Sequence, residues 1–313
     1  MNRSRFLQSL GLIGMGTLME RLWGSGIPGH GISPNMLKSL ASLLPATDRM
    51  PVLFLGHGSP MNAIADNVFV EGFRDMATRL HITPEAVLCV SAHWETRGTK
   101  VTAMAQPRTI HDFGGFPQAL FDVQYPAPGF PEFAEALSQE EEWKAHLELD
   151  HQWGLDHGTW SVIKHLYPEA DIPVLQLSLN QNLTPAEHLE LGGQLRRLRD
   201  HGVLIVGSGN MVHNLGLVDW QRMNEVGHGF EWARDAAQRM EGWILDGDHS
   251  ALAAAATTPD RALRLSVPTP EHYLPLLYAL GATDPTEPRF LFNDHMLAGS
   301  LSMTSVAIGL EPY

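Results

Sequence analysis

From Met50 onward the chain alternates between short apolar runs and longer stretches of helical periodicity. Val52–Leu55 is four apolar residues running straight into Gly56-His57-Gly58-Ser59-Pro60. That reads as a buried strand that stops abruptly and presents His57 at its C-terminal end. A helix is predicted within Asn62–Leu80, where Ile64, Val68, Phe69, Phe73 and Met76 recur at roughly helical spacing. Thr83-Pro84 breaks the chain before a second apolar strand, Ala86–Val90, which leads into Ser91-Ala92-His93-Trp94. A third apolar strand, beginning at Val203, leads through Gly207-Ser208-Gly209 to His213. Three strands thus each deliver a histidine near their C-terminal ends, the edge of an open α/β sheet where ligands and chemistry gather.

The remaining elements fill in around these three. Val101–Ala105 and Val174–Leu179 read as strands, and Arg289–Phe292 and Leu301–Ile308 as closing strands. Helices are predicted over Pro131–Trp143, Trp160–Leu166 with Thr159 as N-cap, Glu231–Leu245 and His249–Ala255. Thr184–His201 is a helix capped by Thr184, opened by Pro185 and stopped by Gly202. Glu271–Leu280 is another, with Thr269 as N-cap and Pro270 at its first position. Gln106–Gly129 is irregular and rich in Gly and Pro, and a loop this long in a compact domain is more often functional than idle. With no internal repeat or linker after residue 50, the pattern predicts one α/β domain over residues 50–313. Its central sheet is mixed or mostly parallel and flanked by helices, with a metal site at the C-terminal ends of the strands.

Residues 1–49 differ from the rest. Arg3-Ser4-Arg5-Phe6-Leu7 precedes a short apolar run from Leu10 to Met19, the layout of an export signal. Ser4 separates the two arginines, no clean Ala-x-Ala cleavage site follows, and the run is too short and Gly-rich for a membrane span. An N-terminal extension carrying a short amphipathic helix is the other reading. Export to the periplasm is preferred here over a cytoplasmic location.

Composition limits the chemistry. Hydrophobic residues make up 44% and charged residues 18% of 313, as in a globular chain with a sizeable core. A net charge of −14 argues against a general binder of nucleic acid or anionic membrane. A single Cys excludes an internal disulfide and cysteine-type zinc fingers, so His, Asp or Glu must hold any metal.

Sixteen histidines are present, and position must pick out the ligands. Read singly, His57, His93 or His213 is more simply a core or turn histidine satisfied by backbone. Three in one strand-end context shift the balance toward a site for one divalent metal, since neutral imidazole suits Zn or Fe(II). His272, at the opening of a helix, is a fourth candidate. His157, in Asp156-His157-Gly158, reads either as a general acid or base or as a helix-entry hydrogen bond, with the adjacent Asp156 side chain pointing elsewhere. His111 and Asp112, in the Gly/Pro-rich loop, could line a substrate pocket or form a solvated turn. His146, His188, His201 and His228 lie in polar or helical contexts and read as surface residues.

Several motifs occur in a fixed order: Gly56-His57-Gly58-Ser59-Pro60-Met61-Asn62, Ser91-Ala92-His93-Trp94, His111-Asp112-Phe113-Gly114-Gly115-Phe116-Pro117, Tyr125-Pro126-Ala127-Pro128-Gly129, Asp156-His157-Gly158, Gly209-Asn210-Met211-Val212-His213-Asn214 and Thr269-Pro270-Glu271-His272-Tyr273. Together they closely resemble the DODA-type extradiol ring-opening dioxygenases, the bacterial 4,5-DOPA branch of the class III extradiol enzymes, over about residues 50–310. The resemblance implies one divalent metal on His57, His93, His213 and His272, with His157 as the acid–base histidine. Fe(II) is implied for activity and Zn²⁺ as an ion the site also holds. No Glu takes the third ligand position found in many class III relatives, and His213 stands there instead. The implied partners are a small catecholic, DOPA-like substrate and O₂, giving a ring-opened semialdehyde acid. Two other readings stay open: a zinc hydrolase using the same histidines, and a non-catalytic metal-binding protein. The sequence leaves the oligomeric state unspecified.

Overall fold

A computed structural model describes residues 43–143 and 146–312. The export-type start lies outside the described residues. The folded unit takes in residues before Met50: Leu44 is buried in the core and the Thr47 amide donates to the Asp200 carbonyl.

The elements run β1 (Val52–Gly56), α1 (Val68–Arg79), β2 (Ala86–Thr96), β3 (Thr99–Thr102), α2 (Gln118–Phe121), α3 (Pro131–Ser138), β4 (Leu147–Asp150) and α4 (His157–Leu166). They continue with β5 (Val174–Asn180), α5 (Pro185–Leu195), β6 (Val203–Gly209), α6 (Glu231–Asp246), α7 (His249–Ala255), α8 (Arg261–Ser266) and α9 (Leu274–Gly281). The chain closes with β7 (Arg289–Phe292), β8 (Met296–Leu297), β9 (Leu301–Ser302) and β10 (Ser305–Ile308). Eight strands form one sheet in the order β4-β3-β5-β2-β6-β1-β10-β7, while β8 and β9 pair separately. The central four, β5-β2-β6-β1, are parallel. Antiparallel pairing begins on either side, at β3 and at β10. The sheet is therefore mixed, with a parallel centre, as the apolar strand runs predict.

Period-two alternation sorts the strand side chains onto two faces. Val52, Phe54, Leu88, Val90, Val203 and Ile205 belong to one core cluster, built with α5, α6 and α9. Leu53, Leu55, Val87, Cys89, Leu204 and Val206 belong to the other, where Phe73 of α1 and Trp160, Ile163 and Leu166 of α4 pack. Helices thus cover both faces, which explains why these strands read as unbroken apolar runs.

Several boundaries differ from the predicted ones, each for a local reason. β2 extends through His93 to Thr96, with a register irregularity against β5 between Val90 and Glu95. α4 starts at His157, because Asp156 rather than Thr159 is the N-cap; the Thr159 hydroxyl instead donates to Cys89 Sγ. α9 starts at Leu274, not Glu271, with Pro275 in its first turn, and the Thr269 hydroxyl donates to Glu271 rather than capping a helix. α5 keeps the Thr184 cap but tightens into a 3-10 turn over Arg196–His201 before Gly202, whose φ of 74° is left-handed. The predicted strand 301–308 is broken at Met303-Thr304, where the Thr304 amide donates to the Ser302 hydroxyl. α2, β4 and α8 have no counterpart in the predicted elements, and α2 lies within the Gln106–Gly129 stretch read as irregular.

Two histidines read as surface residues are buried. His188, on the inward side of α5, meets the Tyr278 hydroxyl at 3.1 Å, and burial pushes its pKa down to about 4. His228 is buried with Nε2 2.9 Å from Asp219 Oδ2.

The close approach of α9 to β6 depends on the absence of a side chain. A Cβ on Gly209 would lie 2.1 Å from the His272 carbonyl oxygen, which instead accepts from the Asn210 amide at 2.8 Å. Gly209→Ala should therefore cost about 1–3 kcal/mol, the usual range for overpacking. Gly242→Ala, in α6 with open space around its Cβ position, should gain about 0.5–1 kcal/mol. Urea denaturation followed by circular dichroism measures both.

Candidate metal centre

The face alternation that buries Leu53 and Leu55 brings His57 next on the same side of the sheet. In β2 the series Val87, Cys89, Ser91 ends at His93, and in β6 Leu204 and Val206 are followed by Ser208. On the α4 face the strands therefore change from apolar to polar as they approach their C-terminal edge. Gly58, with a left-handed φ of 62°, turns the chain away after His57. The Asn62 side-chain amide then donates to the His57 carbonyl at 2.9 Å.

α4 brings His157 to the same place through a buried cap. Asp156 Oδ1 accepts from the Ser91 hydroxyl at 2.6 Å and the Thr159 amide at 3.2 Å. Its Oδ2 accepts from the Gln176 amide nitrogen at 2.7 Å, and its own N–H donates to Gln176 Oε1 at 2.7 Å. Burial, then the nearby charge of Asp112, raises the Asp156 pKa against these hydrogen bonds. The Asp156 side chain does point away from the His157 ring, as its adjacency in sequence implies. Gly158 allows the contact: a Cβ there would stand 2.5 Å from Ser91 Oγ and 2.8 Å from the His93 ring.

The five histidines expected to hold the metal or move a proton meet. Ring centroids of His57 lie 5.0 Å from His93, 5.8 Å from His157 and 5.3 Å from His272. His213 stacks on His272 at 3.5 Å, nearly coplanar at 10°. Their nitrogens fall into two groups. Those of His57, His93 and His157 lie within 4.8 Å of one another, as do the ligand atoms of His213, Glu271 and His272.

Neighbours place the ring protons. The Ser208 hydroxyl donates to the Gly158 carbonyl, so its oxygen is left to accept from His57 Nδ1 at 3.0 Å. His57 therefore carries its proton on Nδ1 and a lone pair on Nε2. His93 directs Nδ1 toward Asp112 Oδ2 at 3.7 Å, and its Nε2 lies 3.3 Å from His57 Nε2. Burial, followed by the neighbouring imidazoles, holds both pKa values well below normal, so neither ring carries an extra proton. The His57 Nε2 lone pair faces His93 Nε2 across this gap: it accepts the His93 N–H, or, with the other His93 tautomer, the two nitrogens point lone pairs at one position that a cation could fill. Nitrogens about 2.1 Å from a shared ion stand roughly 3.0–3.4 Å apart when they meet it at about 90–110°. The donor set fits a divalent cation. Burial and then His272 likewise lower His213, to about 3.

Carboxylates back two further rings, an arrangement common behind metal-bound and catalytic imidazoles. His157 Nδ1 lies 2.9 Å from Asp112 Oδ2, and the His157 amide donates to Asp112 Oδ1 at 2.9 Å. Desolvation opposes the Asp112 charge, but these hydrogen bonds from His157 hold its pKa below the usual range. His272 Nδ1 lies 3.1 Å from Glu271 Oε1. Desolvation again opposes, yet hydrogen bonds from His272 and Thr269 keep Glu271 at about 2.

The imidazoles form the floor of a cavity of about 640 Å³. Asp112 and His111, expected as pocket-lining residues, do not line it. Asp112 stands behind His157, and His111 turns away to meet the Val123 carbonyl at 3.0 Å, packed by Trp160 and Phe113. Their loop contributes Phe116 to the lining instead. The outer wall was missed from sequence: Leu215, Trp220, Met223 and Val226 come from the segment between β6 and α6. Its signal is a run of about twenty residues without a long element, punctuated by large apolar side chains. The Ser91–Asp156–Gln176 network also escaped notice, because the Gln lies in a strand remote in sequence.

Residues 50–295 match the family described as the catalytic LigB subunit of aromatic ring-opening dioxygenase. The chain is 45% identical over 276 residues to a protein of Escherichia coli (strain K12) named 4,5-DOPA dioxygenase extradiol, covering 88% of this chain and all of the relative. It is 35% identical over 267 residues to a protein of the same name from Beta vulgaris, covering 80% and 94%. A crystal structure of an uncharacterised Escherichia coli K12 protein superposes with a TM-score of 0.70 at 41% identity, covering 83% of this chain and all of that one. The chain belongs to the LigB family of aromatic ring-opening dioxygenases, enzymes of the extradiol class.

Proposed function

We propose that this enzyme is a metal-dependent extradiol dioxygenase that inserts both atoms of O₂ into a catechol-type ring, giving a ring-opened semialdehyde acid. The approach of His57 Nε2 and His93 Nε2 to 3.3 Å on the cavity floor, a spacing two nitrogens on one cation would have, is the observation that carries it. Relatives named for DOPA make a DOPA-like catechol the first substrate to try.

His57, His93, His213 and His272 would hold the metal, with Fe(II) serving turnover and Zn²⁺ able to occupy the same donors. When bound, the metal supplies Lewis acidity that lowers the pKa of a catechol hydroxyl, together with open positions for catechol and O₂. The protein's own part is proton transfer. Asp112 takes the His157 Nδ1 proton as a hydrogen bond, leaving Nε2 to accept a proton from the second catechol hydroxyl. The same nitrogen returns a proton as the O–O bond breaks. Phe113 packs edge-on against the His157 ring at 5.5 Å and limits its rotation. A second assignment, His157 as a metal ligand, draws on its grouping with His57 and His93 within 4.8 Å. The variants below separate the two.

One divalent metal per chain is expected, with His57→Ala and His93→Ala losing it and the exposed His146→Ala retaining it. Elemental analysis of the purified variants checks this; full occupancy in both ligand variants would overturn the site. O₂-electrode assays of the Fe(II)-loaded parent over a catechol panel test the reaction. Ester or amide cleavage by a zinc form without O₂ uptake would point to a hydrolase, and metal binding without either activity to a binding protein.

General acid–base help is worth about 10²–10⁴-fold. His157→Gln should hold metal as the parent does and still bind catechol, yet open the ring slower by about that factor in single-turnover experiments. Metal loss in this variant would make His157 a ligand.

Asp112→Asn weakens the hold on His157 Nδ1. The expected loss is about 10–100-fold in ring-opening rate, the usual effect of removing a hydrogen-bonded partner behind a working imidazole. Metal content should stay near parental, and an unchanged single-turnover rate would remove Asp112 from the mechanism.

A further inference from the structure

The cavity has two unlike ends, and the outer one bears on which catechol it admits; this inference rests on the ring-opening reading. Beyond the imidazole floor, the wall includes Leu215, Val218, Trp220, Met223, Val226 and Leu297. Four of these stand among the most exposed large apolar side chains of the described residues: Trp220 at 70%, Leu215 at 58%, Val226 at 44% and Met223 at 39%. A cluster of exposed apolar side chains usually marks a contact made with something else. The other polar lining groups, Ser59, Asn62, Asn67 and Asn224, are neutral. Among the described residues, no Lys, Arg, Asp or Glu lines the cavity.

Most charged groups nearby are engaged elsewhere, and Glu95, close enough to Glu271 to feel its charge, does not line the cavity. Asp112 and Glu271 lie behind His157 and His272. In the wall segment itself, Asp219 bonds His228 and Arg222 pairs with Glu225. An amino-acid substituent brings an ammonium and a carboxylate, and desolvating either without a partner is costly. An alkyl substituent instead gains about fourfold in affinity for each methylene taken out of water.

We propose that the site takes a catechol with an uncharged, apolar ring substituent, seated against Leu215, Trp220, Met223 and Val226, in preference to one bearing an amino-acid side chain. The wall is continuous with the imidazole floor, so a ring bound by its two hydroxyls at the floor directs its substituent outward along this surface.

Calorimetry on the full zinc-loaded chain, which binds without turning over, compares catechol, 4-butylcatechol and DOPA. The expected result is 4-butylcatechol binding at least tenfold tighter than either of the others. In the double variant Leu215→Ser/Trp220→Ser, the ratio of 4-butylcatechol to catechol affinity falls about tenfold. Leu245→Ser, at an exposed apolar position outside the cavity, leaves the ratio unchanged. DOPA binding as tightly as 4-butylcatechol, or a double variant with the parental ratio, overturns the proposal. So does a stable dimer in sedimentation that Trp220→Ser dissociates, since the surface would then belong to a second copy. Failure of the Fe(II)-loaded chain to consume O₂ with any catechol would instead defeat the dioxygenase reading, whatever the affinity ratios on the zinc form.

Discussion

Crowding imidazoles into a buried cleft costs least when neighbouring rings do not both carry charge and ring protons have acceptors. Adjacent imidazolium rings in a low-dielectric site would repel strongly. Among the described residues, hydrogen-bond acceptors are accordingly set behind three of the five rings. The Ser208 hydroxyl takes the His57 proton, and carboxylates stand at Nδ1 of His157 and His272. Each acceptor lies on the side away from the cavity, so Nε2 of the ring it serves is left with a lone pair for the cavity side. The ability to hold a cation and the ability to move a proton follow from the same placement.

Backbone economy makes that crowding feasible. Gly158 lets the first turn of α4 sit against Ser91 and His93, and Gly209 lets the His272 segment close onto β6. Asp156 fixes the first of these junctions by capping α4 while fully buried, tied to β2 through Ser91 and to β5 through Gln176. The cap, the strand register and the position of His157 are therefore one mechanical unit. A change in any of them would move an imidazole that has no room to be placed differently.

The strand-end histidines were legible because an apolar run ending in Gly-His or Ser-Ala-His has few other readings. The parallel centre of the sheet followed from the same runs. What the sequence concealed were relations between distant residues. Asp112 looked like a pocket residue because its loop is rich in Gly and Pro, yet the fold sets it behind His157, 45 positions away. Thr159 looked like a cap by residue type, but Asp156 had buried partners on two strands that no local pattern reveals. His188 and His228 looked exposed because their neighbours in sequence are polar, although each ring is buried against a hydroxyl or a carboxylate. The start of α9 slipped by three residues because two prolines compete there, and packing against β6 favours the second.

Floor and wall come from different kinds of structure. The floor sits where rigid parallel strands and a capped helix converge, which suits groups that must hold position to within a fraction of an ångström. The wall comes largely from the segment between β6 and α6, built from short turns such as Leu215–Leu217 and Trp220–Arg222. Loops of this kind tolerate substitution without disturbing the sheet beneath. Ring-opening chemistry and choice of substituent can therefore change separately within one fold: replacing Leu215 or Trp220 alters no hydrogen bond around the five imidazoles, whereas replacing Asp156 or Gly158 alters the placement of His157 directly.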